Sequence, residues 1–160
     1  RLIIPFYDVD GEVFAIQGRA FGKETPKYLT LKFDENKQKI YGLERVNLQN
    51  RLYIVEGPID SLFIDNCLAA AGADLQLPVE KKDVVFIFDN EPRNKQIIDR
   101  MYKVIEKDYE LVIWPEGQIE KDINDMILQG KTKSQIQDII TENTYSGLSA
   151  LTKLNSYKRC

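Results

Sequence analysis

The stretch RLYIVEGPIDSLFIDN, residues 51–66, decides how this chain is interpreted. Its apolar run LYIV (52–55) is typical of a strand that is buried on both faces of a sheet. Glu56 follows at once, with no positive partner beside it in the sequence. Because a structural glutamate normally lies on a solvated face, an acid at the end of a buried strand calls for a functional explanation.

Two further runs have the character of buried strands. DVVFIFD (83–89) and ELVIWP (110–115) are rich in Val, Ile and aromatic residues. Between them, residues 91–109 carry apolar side chains at helical spacing, which predicts an amphipathic crossover helix. Strands that alternate with helices indicate an α/β domain with a mostly parallel sheet.

The two ends of the chain follow other patterns. Apolar runs on either side of the turn signal DVDG (8–11) predict a hairpin, and KYLTLKF (27–33) predicts a third strand. The last residues carry helical patterns with capping signals. We therefore expect a small β-rich N-terminal lobe at residues 1–50, the α/β domain at 51–130 and C-terminal helices at 131–160.

The stretch SLFIDNCLAAAGADL (61–75) allows two interpretations. Its alanines favour one helix, since alanine is a good helix former. Alternatively, a short helix ends near Asn66 and a short strand covers residues 67–70. The sequence leaves both open.

The composition restricts which catalytic groups and metal ligands the chain can use. The chain has 160 residues, a net charge of −3, no histidine and two cysteines. The lack of histidine excludes histidine acid–base catalysis, Ser-His triads and the common zinc sites. Metal ligands would have to be oxygens, which favours Mg²⁺, Mn²⁺ or Ca²⁺.

The sequence also leads to expectations about where the protein lies in the cell and whether the chain is part of a longer one. No run approaches the ~18 apolar residues of a membrane span, and no signal peptide opens the chain. We therefore expect a cytoplasmic protein without a membrane partner. A chain that begins at Arg1 rather than at Met suggests a fragment of something longer.

Acidic residues stand where α/β sheets bind their ligands, at the carboxyl ends of the strands. Glu56 ends the first strand, and Asp89 with Glu91 ends the second. If these strands are neighbours, ~4.8 Å apart, their acids converge and need a cation between them. Gly57 has no Cβ and lets a metal or phosphate approach the backbone. The alternative is that these strand ends simply meet solvent.

Two other acids have both a structural and a functional interpretation. Asp122 opens a predicted helix, where it would act as the N-cap alone or as cap and metal or water ligand together. Asp60 would cap the helix after the first strand or orient Glu56 through a water. The sequence leaves these alternatives open.

The basic residues of the crossover helix are Lys95, Arg100 and Lys103. The ordinary interpretation is that all three lie on its solvated face. Lys95 is the best candidate for a functional contact, because it is nearest to the acidic strand ends.

YIVEGPIDSL (53–62) followed by VVFIFDNEP (84–92) resembles the Toprim domain, whose signature is a Glu-Gly pair after the first strand and Asp-x-Asp after a later one. Upstream, LIIPFYDVDGEVFAIQGRAF (2–21) and PKYLT are similar to the N-terminal lobe of the catalytic core of bacterial DnaG-type primases. Downstream, KDIND lies where those primases have an acidic KDPD segment. The resemblance covers roughly residues 1–130. The residues of these motifs are most similar to those of the primases of tailed bacteriophages.

The resemblance implies a fold and an activity. The fold would be a Rossmann-like Toprim domain with a small β-rich N-terminal lobe and C-terminal helices. The activity would be synthesis of short RNA primers on single-stranded DNA during replication, by nucleotidyl transfer that depends on Mg²⁺ or Mn²⁺. Ribonucleoside triphosphates and a replicative helicase would be further partners, and the host cytoplasm the location if a phage encodes the chain.

The resemblance also implies roles for single residues. Glu56 would bind metal or act as general base, and Asp89 and Glu91 would hold catalytic Mg²⁺. Asp122 would be a further metal ligand, with Asn124 beside it in the third acidic segment. The expected contacts to nucleic acid or nucleotide are Arg19, Lys27, Tyr28, Gly57, Asp60 and Lys95.

The chain departs from the family pattern at several positions. Glu91 replaces the second Asp of Asp-x-Asp, and Arg93-Asn94 replaces Ala-Gly in the primase signature. Topoisomerase Toprims carry a third acid at the position of Arg93, so DNA cleavage and religation is not expected. Asn124 stands where an acid is usual, which weakens a metal role there.

Two other functions remain open at this point. A Toprim nuclease of the overcoming-lysogenization type would use the same acids to hydrolyse a phosphodiester. A non-catalytic Toprim scaffold in recombination would bind DNA without using them. The N-terminal lobe distinguishes a primase from the Toprim nuclease, because nucleases of that group are not expected to carry such a lobe.

Overall fold

A computed structural model describes residues 1–70, 80 and 83–160 of the chain. The N-terminal part of the chain forms an antiparallel sheet with the strand order β1-β2-β3. The strands are β1 (Leu2–Tyr7), β2 (Val13–Arg19) and β3 (Tyr28–Lys32). The predicted hairpin and third strand are confirmed.

The turn between β1 and β2 is held by the side chain of Asp8. Its Oδ1 accepts the N–H groups of Asp10 and Glu12 at 3.0 and 2.9 Å. Gly11 in the same turn has φ 81°, a left-handed conformation that favours glycine. The DVDG signal therefore specifies the hairpin through a side-chain-to-backbone turn.

A second, six-stranded sheet has the order β4-β6-β5-β7-β8-β9. Neighbours among the four central strands pair in parallel, whereas β4 and β9 pair antiparallel at the edges. The mostly parallel sheet predicted from the sequence is confirmed. Its strands are β4 (Ile40–Tyr41), β5 (Leu52–Val55), β6 (Cys67–Ala70), β7 (Val84–Ile87), β8 (Glu110–Val112) and β9 (Thr144–Tyr145).

Helices cover both faces of this sheet. The buried side chains of α1 and α4 share one hydrophobic cluster with β5 and β7, and those of α2 and α3 share another on the opposite face. This explains why the central strands are apolar at consecutive positions. The helices are α1 (Lys95–Glu106), α2 (Ile123–Leu128), α3 (Lys133–Glu142) and α4 (Gly147–Tyr157).

The ambiguous stretch after β5 is a short helix followed by a strand. A 3₁₀ helix spans Asp60–Leu62, and β6 begins at Cys67 after Asn66, whose φ is 51°. All four residues of β6 are buried between β4 and β5. The burial of this whole segment outweighs the helix preference of its alanines. The part of the stretch at 71–75 lies outside the described residues.

The two sheets are in contact. β4, which lies inside the range expected for the N-terminal lobe, pairs with Ala69 and Ala70 in the larger sheet. The ring of Tyr41 on β4 packs edge-on against Phe6 of β1, with 5.5 Å between ring centroids. The domain boundaries at residues 50 and 130 stay a prediction. In the described part of the chain, no helix has the length and apolar character to cross a membrane.

Candidate active site

The two acidic strand ends lie side by side. β5 and β7 are parallel neighbours, with Val55 opposite Ile87, so Glu56 and Asp89 leave the sheet at the same edge. The N–H of Asp89 donates to Glu56 Oε2 at 3.3 Å. The condition on which the expected convergence depended, that these strands are neighbours, is met.

The third acidic segment is tied to the loop after β5. Asp60 Oδ1 accepts the N–H of Asn124 at 2.9 Å. Asp122 is the N-cap of α2, with its Oδ1 accepting the N–H of Asp125 at 2.7 Å. Asp122 therefore has the capping role that its sequence position suggested, while its side chain also lines the cleft described below.

Two acids at this edge have raised pKa values. Burial, followed by the charges of Glu56, Asp122 and Asp60, raises the pKa of Asp89 to about 7, against an opposing effect of Lys121. Burial also raises the pKa of Asp60 to about 6. Burial first, and neighbouring acids second, thus disfavour the charged carboxylates at this edge, a situation that a bound cation would relieve.

Glu56 has a positive partner that its sequence neighbourhood does not reveal. Arg100 on α1 forms an ion pair with its carboxylate. The guanidinium carbon also lies 5.6 Å from the centroid of the Phe88 ring, and the Arg100 side chain is 33% exposed. The interpretation of Arg100 as part of a solvated face is wrong, because α1 packs on the sheet and turns this residue toward the strand end.

Glu91 is held by two contacts at the rim of the site. Asn94 Nδ2 donates to its Oε2 at 2.8 Å, and Lys121 Nζ lies 2.9 Å from its Oε1. The hydrogen bonds from Lys121 and Asn94 hold the pKa of Glu91 below its usual value. Lys121 Nζ also lies 3.8 Å from Asp89 Oδ2.

A cleft of about 550 Å³ separates the acidic edge from the N-terminal sheet. Its acidic side is formed by Glu56, Asp60, Asp89 and Asp122, with Gly57 beside them. The facing wall contains Arg19, Lys27, Tyr28 and Lys39.

The basic wall is organised around one aromatic ring. Arg19 and Tyr28 are direct partners across β2 and β3. The charged groups of Arg19 and Lys27 each lie 5.7 Å from the centroid of the Tyr28 ring. These three predicted residues thus form a single surface that faces the acids.

Lys39 is a cleft residue that sequence reasoning missed. Its Nζ donates to Thr30 Oγ1 at 3.0 Å, and burial lowers its pKa. It belongs to the polar run DENKQK, residues 34–39. Nothing in this run sets Lys39 apart from its neighbours, because the strand that follows it, β4, has only two residues.

Two predicted residues, Glu91 and Lys95, are not among the residues that line the cleft. The Nζ of Lys95 binds Asp99 one turn further along α1 at 2.7 Å. A nucleic-acid contact from Lys95 stays a prediction.

The donor set fits a hard divalent cation in part. The available oxygens are carboxylates, the ligands preferred by Mg²⁺ and Mn²⁺, and burial together with neighbouring acids raises the pKa of Asp89. Within the described residues, however, no three acidic, cysteine or histidine side chains form a ready metal cage. Arg100 and Lys121 occupy oxygens of Glu56 and Glu91. A metal would therefore have to rearrange side chains as it binds.

Comparison with known proteins agrees with this architecture. No family model matches the chain. The DNA primase of Enterobacteria phage T4 is 40% identical over 164 residues, which cover 99% of this chain and 48% of that protein. The chain thus spans about half the length of this curated relative.

Solved structures show the same fold. The E. coli primase catalytic core matches with a TM-score of 0.69 and 23% identity, over 96% of this chain and 55% of that one. A DnaG primase catalytic domain bound to ssDNA matches at 0.70 and 22%, over 96% and 54%. The zinc-binding and RNA polymerase domains of the Aquifex aeolicus primase match at 0.67 and 22%, over 91% and 41%. The chain is therefore a homologue of the phage T4 DNA primase, built on the fold of DnaG primase catalytic cores.

Proposed function

We propose that this chain is the catalytic core of a DNA primase, which joins ribonucleotides into short RNA primers on a single-stranded DNA template. The main support is the cleft, in which acids at adjacent strand ends face a basic wall. Nucleotidyl transfer needs both sides, since one has to bind phosphates and the other has to hold cations. The 40% identity to the phage T4 primase over nearly the whole chain adds to this support.

The acidic side would hold Mg²⁺ or Mn²⁺ through Glu56, Asp89 and Asp122, with Glu91 at the rim. When bound, the metal would neutralise the triphosphate and activate the attacking 3′-hydroxyl. Arg100 fixes the orientation of the Glu56 carboxylate through their ion pair. The choice between metal ligand and general base for Glu56 stays open, because a fixed carboxylate serves either role.

The basic wall would bind the template strand or the nucleotide phosphates. Arg19, Lys27 and Lys39 can donate to phosphate oxygens, and Tyr28 offers a ring for base stacking. One of the matched DnaG domains is bound to ssDNA, which supports single-stranded DNA as a ligand. Ribonucleoside triphosphates and a replicative helicase are further partners proposed from the resemblance.

The N-terminal sheet favours polymerisation over phosphodiester hydrolysis by a Toprim nuclease. That sheet supplies Arg19, Lys27 and Tyr28, and the nuclease group is not expected to have it. A scaffold function is less well supported, because it gives no reason to bury Asp89 beside other acids, an arrangement that raises its pKa to about 7.

Primer extension tests the proposal without requiring template-sequence recognition. The chain is incubated with Mg²⁺, labelled ribonucleotides and a DNA template that carries an annealed RNA oligonucleotide. We expect extension by the wild type and a loss of at least 100-fold in Glu56→Gln and Asp89→Asn, in line with effects of removing groups that act on the transition state. Asp138→Asn, at an exposed position of α3, is the matched control and should retain activity.

Three outcomes would contradict the proposal. Degradation of the template that depends on Glu56 and Asp89 would indicate a hydrolase. Extension that survives both substitutions would remove these acids from the reaction. Absence of extension from a folded wild type that binds template and nucleotide would indicate a non-catalytic role.

A further inference from the structure

Among the residues that the structure describes, two basic side chains pair with acids at the strand ends, and they are held in different ways. Arg100 projects from α1, lies against Phe88 and is 33% exposed. Lys121 precedes α2, and its side chain is 51% exposed at the wall of the cleft. We propose that Lys121 is a displaceable counter-ion of Asp89 and Glu91, which leaves when a divalent cation binds them and then contacts nucleotide phosphates.

The geometry places one ammonium on two carboxylates. Lys121 Nζ is 2.9 Å from Glu91 Oε1 and 3.8 Å from Asp89 Oδ2. A divalent cation shared by these two acids would meet the positive charge of Lys121 at the same place. Lysine and metal therefore compete for the same carboxylate oxygens.

Only the side chain of Lys121 has to move. Its backbone is anchored, because its carbonyl oxygen accepts the N–H of Asn90 at 2.6 Å. Asn90 Nδ2 in turn donates to the carbonyls of Gln118 and Glu120 at 2.8 and 3.0 Å. The segment that carries Asp122 thus stays in place while the ammonium leaves.

The chemistry of lysine suits such an exchange. Lysine carries a compact charge on a flexible four-carbon stem, and partly exposed ion pairs are weak. Arg100 is less suited to leave, since its guanidinium also lies against an aromatic ring. Once released, the ammonium remains in the cleft, where phosphates of a nucleotide are its natural partners.

Metal binding by the full chain without nucleotide tests the first half of the proposal. Mn²⁺ alone is titrated and free Mn²⁺ is measured by electron paramagnetic resonance. Lys121→Met keeps the length of the stem and removes the charge, so we expect Mn²⁺ to bind about five- to tenfold tighter, because a repelling unit charge near the metal is gone. Lys121→Arg keeps the charge and is expected to remain within about twofold of the wild type by the same reasoning.

Lys131 provides the matched control. Its ammonium pairs with Glu120 in the same segment, and it does not line the cleft. Lys131→Met should leave Mn²⁺ affinity unchanged. Unchanged or weaker Mn²⁺ binding in Lys121→Met, or an equal gain in Lys131→Met, would overturn the proposal.

The second half rests on the proposed primase function. In primer extension, Lys121→Met is expected to raise the KM for ribonucleotide about tenfold, the loss typical of a charge-assisted contact, while Mn²⁺ binds more tightly. An unchanged KM would overturn the phosphate contact. If the wild type extends no primer, the Mn²⁺ titration still decides the counter-ion role, so the two failures are distinguishable.

Discussion

A side chain at position 57 is expected to disturb the site because of a single close approach. A Cβ added at this position would lie less than 3.0 Å from Asp60 Oδ2, a separation that real Cβ atoms essentially never show. The other oxygen of Asp60 accepts the N–H of Asn124 at 2.9 Å. In Gly57→Ala the carboxylate has to move, and since the aspartate side chain is short, the bond to Asn124 is lost.

The expected loss of stability and activity follows from the hydrogen bond between Asp60 and Asn124. A hydrogen bond to a charged group contributes about 1.5–3 kcal/mol to stability, so we expect the free energy of unfolding to fall by that amount. The start of α2 is then released, and its N-cap Asp122 moves with it. Because a displacement of about 1 Å at a site can cost 100-fold in rate, primer extension should fall at least tenfold.

A double-mutant cycle isolates the cause. The free energies of unfolding of the wild type, Gly57→Ala, Asp60→Ala and the double variant are measured by urea denaturation at pH 8. If the clash with Asp60 is the cause, alanine at position 57 costs nearly nothing once that carboxylate is absent, and the two changes are strongly non-additive. Additive costs, or a fully active Gly57→Ala, would refute the reasoning.

Three further expectations concern other parts of the molecule. Arg100→Gln removes the ion-pair partner of Glu56 and should cut primer extension about tenfold, the loss typical of a hydrogen bond to a charged group, with partial recovery in Arg100→Lys; equal rates for Gln and Arg would exclude a positioning role. Asp89 has a folded pKa of about 7 against 3.8, so the folded metal-free protein binds more protons between these values and loses stability as pH rises through them. Asp89→Asn should therefore raise the free energy of unfolding at pH 8 by up to about 4 kcal/mol and change it little near pH 4, and a difference that does not vary with pH in urea denaturation would contradict this. Leu111→Ala, at a fully buried position of β8, should cost about 2–5 kcal/mol in the same measurement, and a loss below 1 kcal/mol would show that the core repacks.

The parallel strands could be predicted because burial on both faces leaves a visible pattern in their sequences. β5, β7 and β8 are covered by helices on both faces, so apolar residues follow one another without alternation. The acids at their ends stand out against these runs, and so Glu56 and Asp89 could be identified. In contrast, β4 and β9 have two residues each, too few for any period to show.

The basic partners of the strand-end acids, Arg100 and Lys121, could not be predicted, for a different physical reason. Arg100 and Lys121 meet their acids through tertiary contacts, across 44 and 30 residues of chain for Glu56 and Glu91. The periodicity of α1 tells which of its side chains face the core, but not that a charged residue at the margin reaches a strand end. Such pairs depend on how the helix crosses the sheet, which local sequence does not encode.

Two departures from the family pattern, Glu91 in Asp-x-Asp and Asn94 in the primase signature, explain each other in the structure. The extra methylene of Glu91 brings its Oε2 within 2.8 Å of Asn94 Nδ2, a contact that an aspartate side chain, shorter by about one 1.5 Å carbon–carbon bond, would not reach. Asn94, which replaces the glycine of the signature, is also the N-cap of α1, with its Oδ1 accepting the N–H of Gln96 at 3.1 Å. The same helix carries Arg100, which holds Glu56. The longer acid and the capping asparagine thus act as one unit that fixes the start of α1 beside both strand ends, and a change at either position alone removes the hydrogen bond between them.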